Sequence, residues 1–191
     1  MSKEILEQLF DSPVKVRLLK LFLRNPTESF RLKDISTRTK SDIRSCSQQV
    51  KKLENINLIS SKKKGKVKVY SVNSGFDFYN ELKTLVLKSS PASKDKLLQR
   101  LKSLGRIKLA VLSGVFINLD NSRVDLLVVG DGIKNKKLSG FLRDLEAEVG
   151  KEIDYVVFSV RDFTYRYDMF DRFIRDVMEK PHEKIINKLK I

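Results

Sequence analysis

The sequence predicts a two-domain chain of mixed α+β and α/β character, a helical first part with one basic hairpin and a second part built on a small mixed sheet. Three observations lead there. Helical periodicity dominates to about residue 55, and β-branched runs alternate with helices from about residue 107. The positive charge is also concentrated in the first part. The expected divisions are a domain over 1–75, a connecting helix over 76–92, and a second domain over 93–191. With 191 residues, 41% of them hydrophobic and 33% charged, the chain is long and apolar enough for two small cores.

Charge narrows the function classes. Residues 1–75 hold 17 Lys/Arg against 7 Asp/Glu, a net of +10, whereas residues 76–191 hold 22 against 17, a net of +5. A small domain with that excess repels itself, and a polyanion relieves the repulsion. Nucleic acid leads; an anionic membrane surface is weaker, because no long basic amphipathic helix with an aromatic face appears. No apolar run is long enough to span a bilayer, and no apolar leader follows the N-terminus, so the expected location is cytoplasmic. Cys46 is the only cysteine and His182 the only histidine, so neither an intrachain disulfide nor a His/Cys zinc site is expected. No cofactor is implied.

The elements of the first part follow in order. Ser12 and Pro13 supply an N-cap and a first-turn proline, and Val16, Leu18, Leu19, Phe22 and Leu23 recur at helical spacings. The helix is expected from Pro13 to Leu23, ended by Asn25-Pro26. A short helix from about Arg31 to Thr39 turns Leu32 and Ile35 inward. Ser41 or Asp42 caps a third, about Asp42 to Asn55, with Ile43, Cys46, Val50 and Leu53 on one face. Asn57 stands at a left-handed reversal. Leu58, Ile59 and Ser60 read as one strand, and Val67, Val69, Tyr70 and Val72 as its partner. The turn between them is Lys62-Lys63-Lys64-Gly65-Lys66.

Three helices and a basic hairpin make a winged helix-turn-helix. The run Val50-Lys51-Lys52-Leu53-Glu54-Asn55-Ile56-Asn57-Leu58-Ile59 resembles the end of the recognition helix in ArsR/MarR-type regulators, with Asn57 where those proteins usually have Gly; the resemblance covers residues 10–75. In this arrangement the third helix enters the major groove of double-stranded DNA. Arg44, Ser45, Ser47 and Gln48 then face base edges, since Arg can be bidentate to guanine and Gln to adenine, each worth roughly 1–3 kcal/mol of discrimination. Gln49 and Lys51 lie nearer the edge. Arg31, Lys33 and Lys52 suit phosphate contacts that set register. Lys62, Lys63, Lys64 and Lys66 reach the adjacent backbone or minor groove. A solvated helix face is the alternative for each single residue; it is weaker for the lysines of the hairpin, which repel one another without an anion.

The second part reads as a helix (94–104), a strand (107–113), a strand (123–129), a helix (135–149) and a strand (152–159). Two short helices (161–166 and 168–179) and a Lys-rich helical tail follow. The nearly continuous hydrophobicity of the strands suits a sheet covered by helices. The resembling residues are Ile107-Lys108-Leu109-Ala110-Val111-Leu112-Ser113-Gly114, Val124-Asp125-Leu126-Leu127-Val128-Val129-Gly130 and Glu152-Ile153-Asp154-Tyr155-Val156-Val157. Residues 93–180 thereby resemble the minimal nucleotidyltransferase domain that some prokaryotic regulators carry behind a winged helix. The resemblance implies a Gly-Ser pair to hold a triphosphate, two carboxylates on one strand face for a pair of Mg²⁺ ions, and a third carboxylate on a later strand. Here Gly114-Val115 lacks the hydroxyl and Arg123 replaces the first Asp. Asp125 and Asp154 remain, and the loop from Gly114 to Arg123 is about three residues short of the family pattern. Arg123 brings a fixed positive charge to the metal position and is expected to pair with Asp125 or Asp154. The domain is therefore expected to be inactive and without metal, a vestigial site at Gly114, Arg123, Asp125 and Asp154.

Three other groups of residues are assigned simpler roles. The aromatic run Phe158, Phe163, Tyr165, Tyr167, Phe170 and Phe173 is read as core rather than as a base-stacking platform. Cys46 is read as a small core residue and His182 as a solvated one. The expected function is a sequence-specific transcriptional regulator, a homodimer on a short pseudo-palindrome, whose second domain serves dimerisation, a protein partner or a nucleotide effector. The alternatives are a divergent nucleotidyltransferase acting on RNA or protein, and an antitoxin-like protein-interaction module.

Overall fold

In the computed structural model, which describes residues 5–88, 94–119 and 121–191, the chain forms two units. Unit 1 comprises Met1–Ser90 and Arg143–Lys151; unit 2 comprises Pro91–Leu142 and Glu152–Ile191. The architecture is mixed α+β, with nine α-helices and sheets of three and four strands among the described residues. No helix among the described residues is long and apolar enough to cross a membrane.

Unit 1 is built around α2 (Pro13–Arg24), which follows a short α1 (Ile5–Phe10). The Ser12 hydroxyl accepts the Lys15 N–H at 3.2 Å, as an N-cap should. Val16, Leu18, Leu19 and Leu21 to Leu23 are all buried, because α3 (Leu32–Thr39), α4 (Ile43–Asn55) and α5 (Tyr79–Lys88) pack around α2. Ile35, Cys46, Val50, Leu53, Ile59, Val72, Tyr79 and Val86 complete the core. β2 (Ile59–Lys64) and β3 (Val67–Val72) pair as an antiparallel hairpin, and β1 (Phe30–Arg31) adds a third strand on the far side of β3. Neither α1 nor β1 is legible in the sequence, being six and two residues long. Arg143–Lys151 also belongs to this unit, although the sequence reading gave it to the second domain: the Asn25 side-chain amide donates to Gly150 O at 2.8 Å.

Several expectations for unit 1 need correction. Lys62, Lys63 and Lys64 are not turn residues but the end of β2; the loop is only Gly65-Lys66, with Lys64 paired to Val67. Gly65 at φ 63 occupies the first loop position, where the twist of a two-residue hairpin demands a positive angle. Ile43 is 44% exposed rather than inward. In the connecting segment Tyr79 and Val86 are inward; Phe78 lies ahead of α5 and is 65% exposed, and Leu85 is 43% exposed. Ser89-Ser90-Pro91, where the sequence predicts the connecting helix to close, lies outside the described residues.

In unit 2, α6 (Lys94–Lys102) precedes β4 (Arg106–Leu112), β5 (Leu126–Asp131), α7 (Asn135–Val149), β6 (Tyr155–Phe158), α8 (Val160–Asp168), α9 (Arg172–Glu179) and β7 (Glu183–Asn187). Helix α7 is shared, its residues from Arg143 onward belonging to unit 1. The strand order is β6-β5-β4-β7; β5 and β6 are parallel, and β4 is antiparallel to both neighbours. A helical crossover between β5 and β6 is what parallel neighbours require. Leu109, Val111, Leu127 and Val129 form one sheet face, packed against Phe163, Ile174 and Val177 from α8 and α9.

Two further corrections concern this unit. The second strand begins at Leu126, so Arg123 and Asp125 lie in the approach to it and not on it. The tail is a strand, not a helix: Ala110 pairs with Ile186, and Lys188 N–H donates to Lys108 O at 2.7 Å. Lysines interleaved with isoleucines fit either period over so short a stretch, and the unpaired edge of β4 decides in favour of the strand.

Candidate nucleic-acid interface

Helix α4 begins at Asp42, whose carboxylate accepts the N–H groups of Arg44 and Ser45 at 3.0 Å each. The cap fixes the phase of the helix. Cys46, Val50 and Leu53 are buried on one side, and Arg44, Ser47, Gln48, Lys51 and Lys52 are exposed on the other. The spacing 44, 47/48, 51/52 is a single stripe of a 3.6-residue helix. Ser45 and Gln49 sit half-buried at its margins. The helix ends as Asn57 turns left-handed at φ 62, with Leu58 N–H returning to Leu53 O at 3.1 Å.

The hairpin starts two residues later and carries the exposed Lys62, Lys63, Lys64 and Lys66. Register places Lys63 directly opposite Lys68 and Lys62 opposite Val69. Like charges facing one another across a strand pair are unfavourable. Lys68 is relieved by Glu54, whose carboxylate lies 3.2 Å from its ammonium, and the same ammonium sits 5.0 Å from the Tyr70 ring centroid. The Ser61 hydroxyl donates to the same carboxylate. Glu54 thus latches the last turn of α4 to both strands of the hairpin. Among the described residues Lys63 has no such relief.

The Ser61 hydroxyl, followed by the Lys68 ammonium, holds the Glu54 carboxyl below the usual glutamate range. A depressed folded-state value means that the latch contributes fully above the unfolded range and is lost as pH falls through the lowered value. The difference in Tm between wild type and Glu54→Gln is therefore expected to hold at neutral pH and to shrink on acidification below about pH 4. Thermal melts of both proteins across that range check it. A difference independent of pH would mean that packing, not charge, is what Glu54 supplies.

The other predicted phosphate contacts divide. Lys33 is exposed. Arg31 is turned back on its own helix: its Nε lies 2.9 Å from Asp34, which also accepts the Arg31 N–H at 3.2 Å. That contact raises the Arg31 guanidinium and lowers the Asp34 carboxyl. Sequence reasoning passed over Lys68 and Glu54, since only the strand register joins them. It also passed over Lys40, which occupies the turn between α3 and α4 at φ 47 and pairs with Asp144. Cys46 is buried beside the Thr39 hydroxyl at 3.6 Å, and burial raises its thiol, in keeping with a core role.

The second predicted site is organised around Asp125. Its Oδ1 accepts the Val115 N–H at 2.7 Å and its Oδ2 the Asp154 N–H at 3.0 Å, while its own N–H donates to Asp154 O at 2.7 Å. Gly114 makes room for it: at φ 54, a Cβ on Gly114 would fall 2.0 Å from Asp125 Oδ1. Each carboxylate oxygen thereby accepts one backbone N–H. Contrary to the expectation from sequence, Arg123 pairs with neither Asp125 nor Asp154; its Nε lies 2.9 Å from Asp176 on α9 and lowers that carboxyl. His182 Nδ1 lies 2.7 Å from Lys180 O.

Among the described residues no three His, Cys, Asp or Glu side chains come close enough together to hold a metal ion. No family model matches the chain, and no curated protein matches it.

Proposed function

We propose that unit 1 binds double-stranded DNA as the winged helix-turn-helix of a sequence-specific transcriptional regulator, and that unit 2 is a nucleotidyltransferase-like scaffold without transferase chemistry. The observation that carries the reading is the exposed stripe of Arg44, Ser47, Gln48, Lys51 and Lys52 on α4, with a lysine-bearing hairpin latched to the last turn of that helix by Glu54. A helix offering polar side chains and a flanking cationic hairpin match a major groove and its neighbouring phosphates. Ile43, exposed beside Arg44, suits contact with a thymine methyl. For unit 2, the occupation of Asp125 by two backbone donors and of Arg123 by Asp176 supports a scaffold. Label transfer from a nucleoside triphosphate in the presence of Mg²⁺ would overturn that part.

The full-length protein is mixed with sheared genomic DNA at about 150 mM salt, where non-specific phosphate binding is weak, and the retained fragments are sequenced. One enriched motif supports the reading; uniform retention or none refutes it. On an enriched site, changing Lys62, Lys63, Lys64 and Lys66 to Gln is expected to flatten the slope of log K against log salt. The change is about 0.9 for each lysine that meets a phosphate. An unchanged slope would remove the hairpin from the interface. The proposed assembly is a homodimer on half-sites one helical turn apart, about 34–36 Å.

A further inference from the structure

Unit 2 carries an apolar surface that its own core leaves uncovered. Between α8 and α9, Met169 and Phe170 stand 64% and 77% exposed, and Tyr165, one turn earlier, is 65% exposed. Phe158, Phe163 and Phe173 of the same run are core, as the sequence suggested, but Tyr165, Tyr167 and Phe170 are not. Phe170 also has φ 55, a left-handed conformation unfavourable for a bulky side chain. Hollows flank this ridge. One of about 780 Å³ runs along Phe158, Tyr165 and Met169, and one of about 460 Å³ lies among Tyr167, Phe170, Ile174 and Met178.

The charge of this segment selects the occupant. Residues 160–180 hold five basic and five acidic side chains, a net of zero in a chain of +15. Arg166 pairs with Asp171 at 3.2 Å, Arg175 with Glu179 at 3.2 Å, and Asp176 with Arg123. A base-stacking platform needs a cationic groove along the backbone of its ligand, and this segment has no excess charge to form one. Two copies of a strongly basic chain repel except where charges balance, and they balance here. Interleaved Arg and Asp side chains can match their counterparts under two-fold symmetry, and a ridge beside hollows offers the self-complementary shape that an isologous contact needs.

We propose that the α8–α9 ridge is the contact with a second copy of this chain, Phe170 of each copy seating in the other's hollow. The inference deepens the homodimer part of the proposed function and is independent of whether unit 1 binds DNA. The full-length protein is studied by light scattering over a dilution series at near-physiological salt, without DNA. Wild type is expected to show a concentration-dependent dimer. Phe170→Gly removes the ring and suits the positive φ, so its Tm is expected to be unchanged or higher while the dimer weakens by at least about tenfold. Phe170→Glu is expected to abolish the dimer. Phe78→Ser, at an exposed apolar position of unit 1, is expected to leave it intact.

A wild type that stays monomeric, or a Phe170→Gly dimer of undiminished strength, overturns the inference. So does loss of the dimer in Phe78→Ser. If Phe170→Gly fails to fold, Tyr165→Ser and Met169→Ser decide by the same readout. A monomer that still enriches one DNA motif refutes this contact and the homodimer but not the DNA reading; a dimer broken by Phe170→Gly that enriches none refutes only the DNA reading.

Discussion

Replacing Arg44 and Gln48 together by alanine is expected to abolish motif enrichment while leaving the fold intact. Both side chains are exposed on α4, four residues apart, and Ala has the higher helix propensity, so α4 loses nothing by the change. The buried side of α4, with Cys46, Val50 and Leu53, is untouched. Each bidentate base contact is worth roughly 1–3 kcal/mol of discrimination, so the pair amounts to about 2–6 kcal/mol, or about 30-fold to more than 10⁴-fold in specificity. Non-specific affinity should fall far less, since in the proposed interface the hairpin lysines and Lys52 are left to meet phosphates. Binding to the enriched motif and to a scrambled duplex, measured at one salt concentration, separates the two effects. Equal losses on both duplexes would mean that Arg44 and Gln48 contact the backbone and read no bases.

Asp125→Ala is expected to cost stability, and its effect separates a scaffold from a metal site. The substitution leaves the N–H groups of Val115 and Asp154 without their acceptor. An unsatisfied donor costs about 1–3 kcal/mol. The Asp154 bond is exposed and the Val115 bond part-buried, so water offsets most of the first, and about 1–3 kcal/mol remains. For a chain of this size that lowers Tm by roughly 2–12 °C. Asp125→Asn keeps one acceptor and should lose about half as much. A carboxylate kept only to hold Mg²⁺ behaves oppositely, because removing it relieves local negative charge and leaves Tm unchanged or raised. Denaturant titration of wild type, Asp125→Ala and Asp125→Asn decides between the two.

Long elements with caps were legible. Ser12-Pro13 opens α2, Asp42 opens α4, Asn57 takes the left-handed position, and α7 spans the expected 135–149, because each depends on chemistry within a few residues. Short elements and distant pairings were not. β1 exists only because β3 offers an edge to Phe30 and Arg31, and β7 only because β4 offers another. Period alone places Arg44, Ser47 and Gln48 on the exposed side of α4, where they stand, but not the half-buried Ser45 or the exposed Ile43, because a residue at a helix start or stripe margin fits either side. The Glu54–Lys68 latch joins residues 14 apart whose meeting depends on hairpin register. The partner of Arg123 lies 53 residues away on α9, where no local pattern points.

Neither unit is a continuous stretch of chain. Asn25 finds the carbonyl of Gly150, and Ala110 finds its partner at Ile186. During synthesis the first unit therefore waits until more than three quarters of the 191 residues are made and α7 is finished at Val149, and the second waits for β7. Such long-range closure is slow relative to local helix formation. Until β7 arrives, β4 keeps an open strand edge, which is a hazard for pairing with other chains. A fragment cut in the connecting segment, the natural choice for isolating the proposed DNA-binding half, would lack the 143–151 segment that Asn25 bonds. Its instability would reflect where it was cut and not the quality of its core.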